Sequence, residues 1–271
     1  MTDHRATPDP SGDLASMRSR LASGRPQFGM WVASGSPCNA EICAGSGLDW
    51  LLVDMEHAPN DLGDIVSQLR ATAAYPAAVV VRPPSGDPVV IKRLLDAGVR
   101  NLLVPMVDTA AQAEALVRAV RYPPAGMRGV GSTLARASGW GRDGGYLARA
   151  DQTVTLLVQV ESRGGLDELA AIATVDGVDG VLLGPADLAA SLGHLGEQQH
   201  PEVVETVISA IATVSRLGRP AGVNAFSEPL ARRYLAAGCR FILVGADVTV
   251  LAQGSDRLAG TYLGTSTPPS H

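Results

Sequence analysis

The chain has 271 residues, 46% hydrophobic and 18% charged, with a formal net charge of −5 and an isoelectric point near 5.5. That suits one large α/β domain or two small ones, and the acidic balance argues against a nucleic-acid partner, which would show as a basic stripe. No run approaches the ~18–20 apolar residues of a membrane span, residues 1–13 lack the apolar core of a signal peptide, and Cys38, Cys43 and Cys239, scattered and without a CxxC pair, read as buried free thiols of a cytoplasmic protein.

Eight strands are expected in chain order, at 28–33, 50–54, 78–82, 101–106, 154–161, 180–184, 220–224 and 240–245. Helical spacing fills most of the gaps. Leu62, Ile65, Val66 and Leu69 define a helix over 61–72, and further helices are expected at 88–97, 109–121, 166–173, 201–217 and 229–237. Ala-Gly pairs precede the second, fourth and eighth strands, where glycine supplies the left-handed turn back onto a sheet. Eight alternating units over this length predict an α/β fold, a (β/α)8 TIM barrel spanning 21–262. Residues 1–20 read as a mobile extension and 263–271 as a flexible tail. A doubly wound open sheet is the alternative, weakened because no strand is followed by a GxGxxG turn. The long stretch 121–150 between the fourth and fifth strands is expected to start on the strand-end side and to reach the site only in part.

Four apolar runs break off at titratable residues: Trp50–Val53 at Asp54-Met-Glu-His57, the third strand at Arg82, the fifth at Glu161, and Gly180–Ala186 at Asp187. In α/β barrels the carboxyl ends of the strands carry the chemistry. Glu161 and Asp187 suit a hard divalent ion such as Mg²⁺, or Mn²⁺ or Co²⁺ with labile waters, although Asp187 could equally cap a helix. Arg82 reads as a two-pronged clamp on a carboxylate or enolate oxygen, or as the ion-pair partner of a neighbouring acid. His57 can carry a proton both ways near neutrality, and Asp54 is its natural partner by proximity. The Gly184-Pro-Ala-Asp187 helix start offers N–H groups to a small anion. His194 and His200 read as loop residues. Lys92, the only lysine, falls mid-helix, which excludes a Schiff-base mechanism. Together these parts suit enolisation of a 2-oxo acid, with aldol addition or cleavage through the same intermediate.

The strings Asp49-Trp-Leu-Leu-Val-Asp-Met-Glu-His-Ala-Pro-Asn-Asp61, Val81-Arg-Pro-Pro84, Leu103-Val-Pro-Met-Val107, Val158-Gln-Val-Glu161 and Gly184-Pro-Ala-Asp-Leu188 resemble the HpcH/HpaI aldolase family. So do Arg121-Tyr-Pro-Pro-Ala-Gly-Met-Arg-Gly-Val-Gly131 and Ala135-Arg-Ala137, and the similarity runs from about Leu21 to Leu258. The resemblance implies a phosphoenolpyruvate/pyruvate-type barrel and a class II pyruvate aldolase that cleaves a 4-hydroxy-2-oxo acid to pyruvate and an aldehyde. It implies a divalent ion on Glu161 and Asp187, His57 as acid/base and Arg82 as enolate stabiliser. Gln159 and the Ala186–Asp187 backbone become pyruvate contacts. It moves the role of raising the basicity of His57 from Asp54 to Asp96, near a subunit boundary, because members are typically homohexamers that exchange a terminal helix. The resemblance is closest to the branch of 4-hydroxy-2-oxoheptanedioate and 2-dehydro-3-deoxy sugar-acid aldolases, with one departure: Met55 stands where that branch commonly has glycine, and its side chain could narrow the mouth beside His57 or pack behind the strand. Two rivals remain at this level, a citrate-lyase-like lyase of CoA thioesters and a non-catalytic metabolite-binding homologue.

Overall fold

A computed structural model of the chain describes residues 16–264. Eight parallel strands close in sequence order: β1 (Gln27–Val32), β2 (Trp50–Asp54), β3 (Ala78–Arg82), β4 (Asn101–Val104), β5 (Thr155–Val160), β6 (Gly180–Leu183), β7 (Ala221–Asn224) and β8 (Cys239–Ala246). The helices are α1 (Met17–Ala22), α2 (Pro37–Ala44), α3 (Leu62–Ala71), α4 (Pro88–Asp96), α5 (Ala110–Val120) and α6 (Tyr146–Thr153). They continue with α7 (Arg163–Asp167), α8 (Leu169–Thr174), α9 (Pro185–Leu192), α10 (Pro201–Arg216), α11 (Glu228–Ala236) and α12 (Asp247–Leu263). This is the expected TIM barrel, and no described helix is long and apolar enough to cross a membrane.

Side-chain alternation along each strand separates two apolar layers. Trp50, Leu52, Ala78, Val80, Leu103, Leu157, Leu182, Phe241 and Leu243 fill the barrel interior. Leu51, Val53, Val81, Leu102, Val104, Val158 and Val160 face the helices. The interior parity continues upward, so the next inward positions after Leu52, Val80 and Leu157 are Asp54, Arg82 and Gln159. The pattern that fills the core therefore also aims the polar residues into the top of the barrel. Two glycines make room for the aromatic interior: a Cβ on Gly29 would lie 2.5 Å from the Trp50 indole, and one on Gly222 would strike the Phe241 ring.

The N-terminal boundary differs from expectation. Met17 and Leu21 of α1 are buried with the interior layer, and the Met17 N–H donates to Asn101 Oδ1 at 2.9 Å. The helix closes the floor of the barrel, so the ordered domain starts before residue 21; residues 1–15 and 265–271 of the expected extension and tail lie outside the described residues. The long connection also differs. The helix α5 carries the chain back to the floor before the connection begins, so 121–145 lies at the end opposite the strand termini. There it packs on α4 through the Arg128–Asp96 ion pair. The left-handed glycines before β4 and β8 are Gly98 and Gly238, as read, whereas before β2 that conformation falls on Gly47, two residues past the Ala-Gly pair. Cys43 and Cys239 are buried free thiols; Cys38, at the start of α2, is exposed.

Candidate active site

At the carboxyl ends of β2 and β3, Asp54 pairs in register with Arg82. The Asp54 carboxylate accepts Nε–H of Arg82 at 2.7 Å and Nη2–H at 2.8 Å, a bidentate pair buried on both sides. Glu56 adds an ion pair to Arg82 Nη1 at 2.9 Å. The guanidinium also lies 4.4 Å over the Trp31 ring, whose indole N–H donates to Asn224 Oδ1 at 3.1 Å. Arg82 is thus an ion-pair partner, one of its two expected readings, and that pairing fixes the plane in which its remaining N–H groups point.

Asp54 also organises the turn that follows β2. It accepts the backbone N–H of Glu56 at 3.0 Å and of His57 at 3.3 Å. Burial pushes the Asp54 carboxyl up, but the Arg82 guanidinium and the backbone N–H groups of Glu56 and His57 together hold it below the usual carboxylate range. Asp54 therefore touches the backbone of His57 and Arg82, not the imidazole, and its reading as the acid partner of His57 does not hold. His57 itself is exposed at the mouth. Met55 packs against the apolar layer between strands and helices, the sideways one of its two readings.

The second half of the site comes from β5 and β6. Glu161 follows β5 and is buried; Oε1 accepts the Met106 N–H at 2.8 Å and Oε2 accepts from Gln159 Nε2. Met106 adopts a left-handed φ of 57°, uncommon for a residue with a side chain, at the place where its N–H turns toward Glu161. The β5–β6 register sets Val160 beside Leu183, and hence Glu161 beside Gly184. A Cβ on Gly184 would lie 2.7 Å from Glu161 Oε2 and 2.8 Å from Glu161 Cβ, so only glycine leaves this carboxylate its place. Asp187 lies in the first turn of α9, exposed toward the mouth beside Ala186, and no side chain caps this helix start.

Burial pushes the Glu161 carboxyl up to about 7, and the charges of Asp187 and Glu56 push the same way. Burial raises Glu56 as well, with Asp187 again among the causes. The Glu161, Asp187 and Glu56 carboxylates thus lie near enough to repel one another, Arg82 is the buried cation paired with Glu56, and the Gln159 Oε1 is buried with no hydrogen-bond partner. Hard oxygen donors, mutual repulsion and an unpartnered acceptor fit a divalent cation held by Glu161 and Asp187. Glu56 and Trp31 are members of this site that sequence reasoning missed. The signal for Trp31 was its inward parity at the end of β1; Glu56 lay inside the quoted Asp54–His57 string.

Asp96 is not part of this cluster within the chain. It ends α4 at the floor of the barrel, where Arg128 Nη2 binds its Oδ1 at 2.8 Å. Arg128 is fully buried between Tyr122, 4.4 Å from the ring centre, and Tyr146, whose hydroxyl lies 3.0 Å from Nη2. Lys92, on α4 outside the barrel, packs toward Gly129 and takes no part in the site.

A (β/α)8 barrel with acids, a buried arginine and an exposed histidine at the strand ends has the parts of an enzyme acting on enolisable oxo acids. Comparison with known proteins narrows the class. The profile of the HpcH/HpaI aldolase/citrate lyase family matches residues 27–254. The hydroxypyruvate/pyruvate aldolase of Pseudomonas aeruginosa is 53% identical over 253 residues, covering 93% of this chain and 94% of that protein. The 4-hydroxy-2-oxo-heptane-1,7-dioate aldolase of Klebsiella pneumoniae is 50% identical over 247 residues, 91% of this chain and 93% of its own length. A solved HpcH/HpaI aldolase/citrate lyase family protein from Burkholderia cenocepacia superposes with a TM-score of 0.87 at 43% identity, covering 92% of this chain and 99% of that one. The chain belongs to the HpcH/HpaI aldolase family and is a carbon–carbon lyase. The two curated relatives are named as aldolases, not as thioester lyases.

Proposed function

We propose that the chain catalyses reversible retro-aldol cleavage of a 4-hydroxy-2-oxo acid to pyruvate and an aldehyde, with Mg²⁺, Mn²⁺ or Co²⁺ held by Glu161 and Asp187. The observation that carries this reading is the buried Glu161 carboxylate seated against Gly184, the residue that opens the helix whose first turn carries Asp187. When bound, the cation supplies Lewis acidity toward the 2-oxo group of the substrate. The N–H groups of Ala186 and Asp187 at the start of α9 hold the substrate carboxylate. Gln159 offers its unpartnered Oε1 to a donor of the bound ligand. His57 takes the proton from the 4-hydroxyl as the C3–C4 bond breaks, the aldehyde leaves, and the bonding pair becomes the pyruvate enolate. Arg82, locked in place by Asp54, donates hydrogen bonds to the enolate oxygen, and protonation of C3 completes pyruvate.

Asp96 can reach a His57 only on another protomer, because its own lies at the other end of the barrel. A homohexamer with an exchanged terminal helix is consistent with α12. Its Leu251 and Leu258 are 61% exposed, and Tyr262 is 81% exposed. Its one buried residue is Asp247, which accepts the N–H groups of Ala33 at 2.8 Å and Ser34 at 3.2 Å. A 17-residue helix with that much uncovered apolar surface calls for a second copy of the chain. Light scattering would read the assembly. A pyruvate-release assay across a panel of hydroxy-oxo acids, with Mg²⁺ or Mn²⁺ added, tests the activity and identifies the aldehyde half; no release from any of them contradicts it.

A further inference from the structure

Beyond α9 the chain makes two successive tight turns before α10. The Glu197 N–H donates to the His194 carbonyl, and the His200 N–H to the Glu197 carbonyl, each at 2.8 Å. A backbone that closes a hydrogen bond every three residues brings positions 194, 197 and 200 onto one side. The consequence is visible in the side chains: the His194 and His200 rings stack at 3.6 Å with 17° between their planes. A ligand atom of each of His194, Glu197 and His200 lies within 4.8 Å of the other two.

Glu202, in the first turn of α10, sets the chemistry of both rings. Its carboxylate, held below the usual range by His194, can only accept, so His194 Nε2 donates to it at 3.0 Å and the His194 lone pair falls on Nδ1. Its backbone N–H donates to His200 Nδ1 at 3.3 Å, so the lone pair of that ring also falls on Nδ1. Histidines that ligate metals characteristically give their other ring N–H to a carboxylate, which is the relation between His194 and Glu202.

We propose that His194, Glu197 and His200 form a second metal site, for a borderline divalent cation such as Zn²⁺, separate from the carboxylate site at Glu161 and Asp187. Two imidazoles and one carboxylate match the donor preference of Zn²⁺, Ni²⁺ or Cu²⁺ over Mg²⁺. Binding draws the three ligand atoms together by roughly an ångström, to the ~2.0–2.2 Å bonds zinc makes. His200 exchanges its long cap bond for the metal. His194 lies two residues past α9, whose last residue, Leu192, is a helical rise of about 7.5 Å beyond Asp187, so the ion would tie the far end of the helix that carries Asp187 to the start of α10.

Equilibrium dialysis of the full chain against Zn²⁺, with Mg²⁺ in excess, tests this. Comparison of the unaltered chain with His194→Ala and Glu197→Gln isolates the site, since any other zinc-binding group is common to all three. The unaltered chain should hold one more Zn²⁺ per chain than His194→Ala, and Glu197→Gln should weaken that ion at least tenfold. Equal zinc content and affinity in the unaltered chain and both variants would overturn the proposal. The readout is independent of aldolase activity.

Discussion

Asp54 and Arg82 stand opposite each other in the β2–β3 register and meet through two parallel hydrogen bonds of 2.7 and 2.8 Å. The pair sits at the top of the barrel interior, where inward-facing side chains pass from apolar to charged. It orients the guanidinium before any substrate arrives, and an arginine so fixed loses little on binding an oxyanion.

Replacing Arg82 by Ala should lower kcat for pyruvate release by about 10²–10³, the usual cost of removing one oxyanion donor. Arg82→Lys should recover only a small part, because an ammonium cannot keep two parallel bonds to Asp54 and still face the substrate. Steady-state kinetics on both variants checks this.

Asp54→Asn should destabilise the fold by about 3–5 kcal/mol near neutral pH, since it leaves a buried guanidinium short of its partner. The folded Asp54 carboxyl is held below its ordinary value of 3.8. Its contribution is therefore present above that value and lost as pH falls below it toward the folded value. Denaturant unfolding at pH 7 and at pH 3 should show the gap between the unaltered chain and Asp54→Asn narrowing in acid.

Gly184→Ala tests the cradle for Glu161. The added Cβ would fall 2.7 Å from Glu161 Oε2, so the carboxylate must move. Mg²⁺ affinity, read by calorimetry, should fall at least tenfold while circular dichroism stays unchanged.

Met17→Ala should cost about 2–5 kcal/mol, as for other large-to-small changes in a core. A change within a loose extension would cost almost nothing, so urea unfolding separates the two readings of this segment.

Much of this was legible in the sequence because β2 and β3 are uninterrupted apolar runs that end on charge, and their observed bounds match the reading at both ends. Arg82, Glu161 and Asp187 were visible as the residues that stop such runs. What failed was local inference about partners. Asp54 is three residues from His57, yet strand register gives its carboxylate to Arg82. The 121–150 stretch, expected to start on the strand-end side and to reach the site in part, instead begins at the floor, because α5 has already carried the chain back from the strand ends. The six residues of α1 carry too little periodicity to announce a helix; only burial of Met17 and Leu21 in the barrel floor shows its purpose. Glu56 joins the site through the turn that Asp54 caps, a tertiary arrangement no spacing rule encodes.

The central claim is that the cation site at Glu161 and Asp187, with Arg82, generates the pyruvate enolate. Exchange of the pyruvate methyl protons for deuterium, followed by NMR on chelator-stripped protein before and after Mg²⁺ or Mn²⁺ is returned, tests it directly. Exchange should be absent from the stripped protein, return with the ion, and stay absent in Glu161→Gln. Full exchange in the stripped protein, or in Glu161→Gln, would contradict the account.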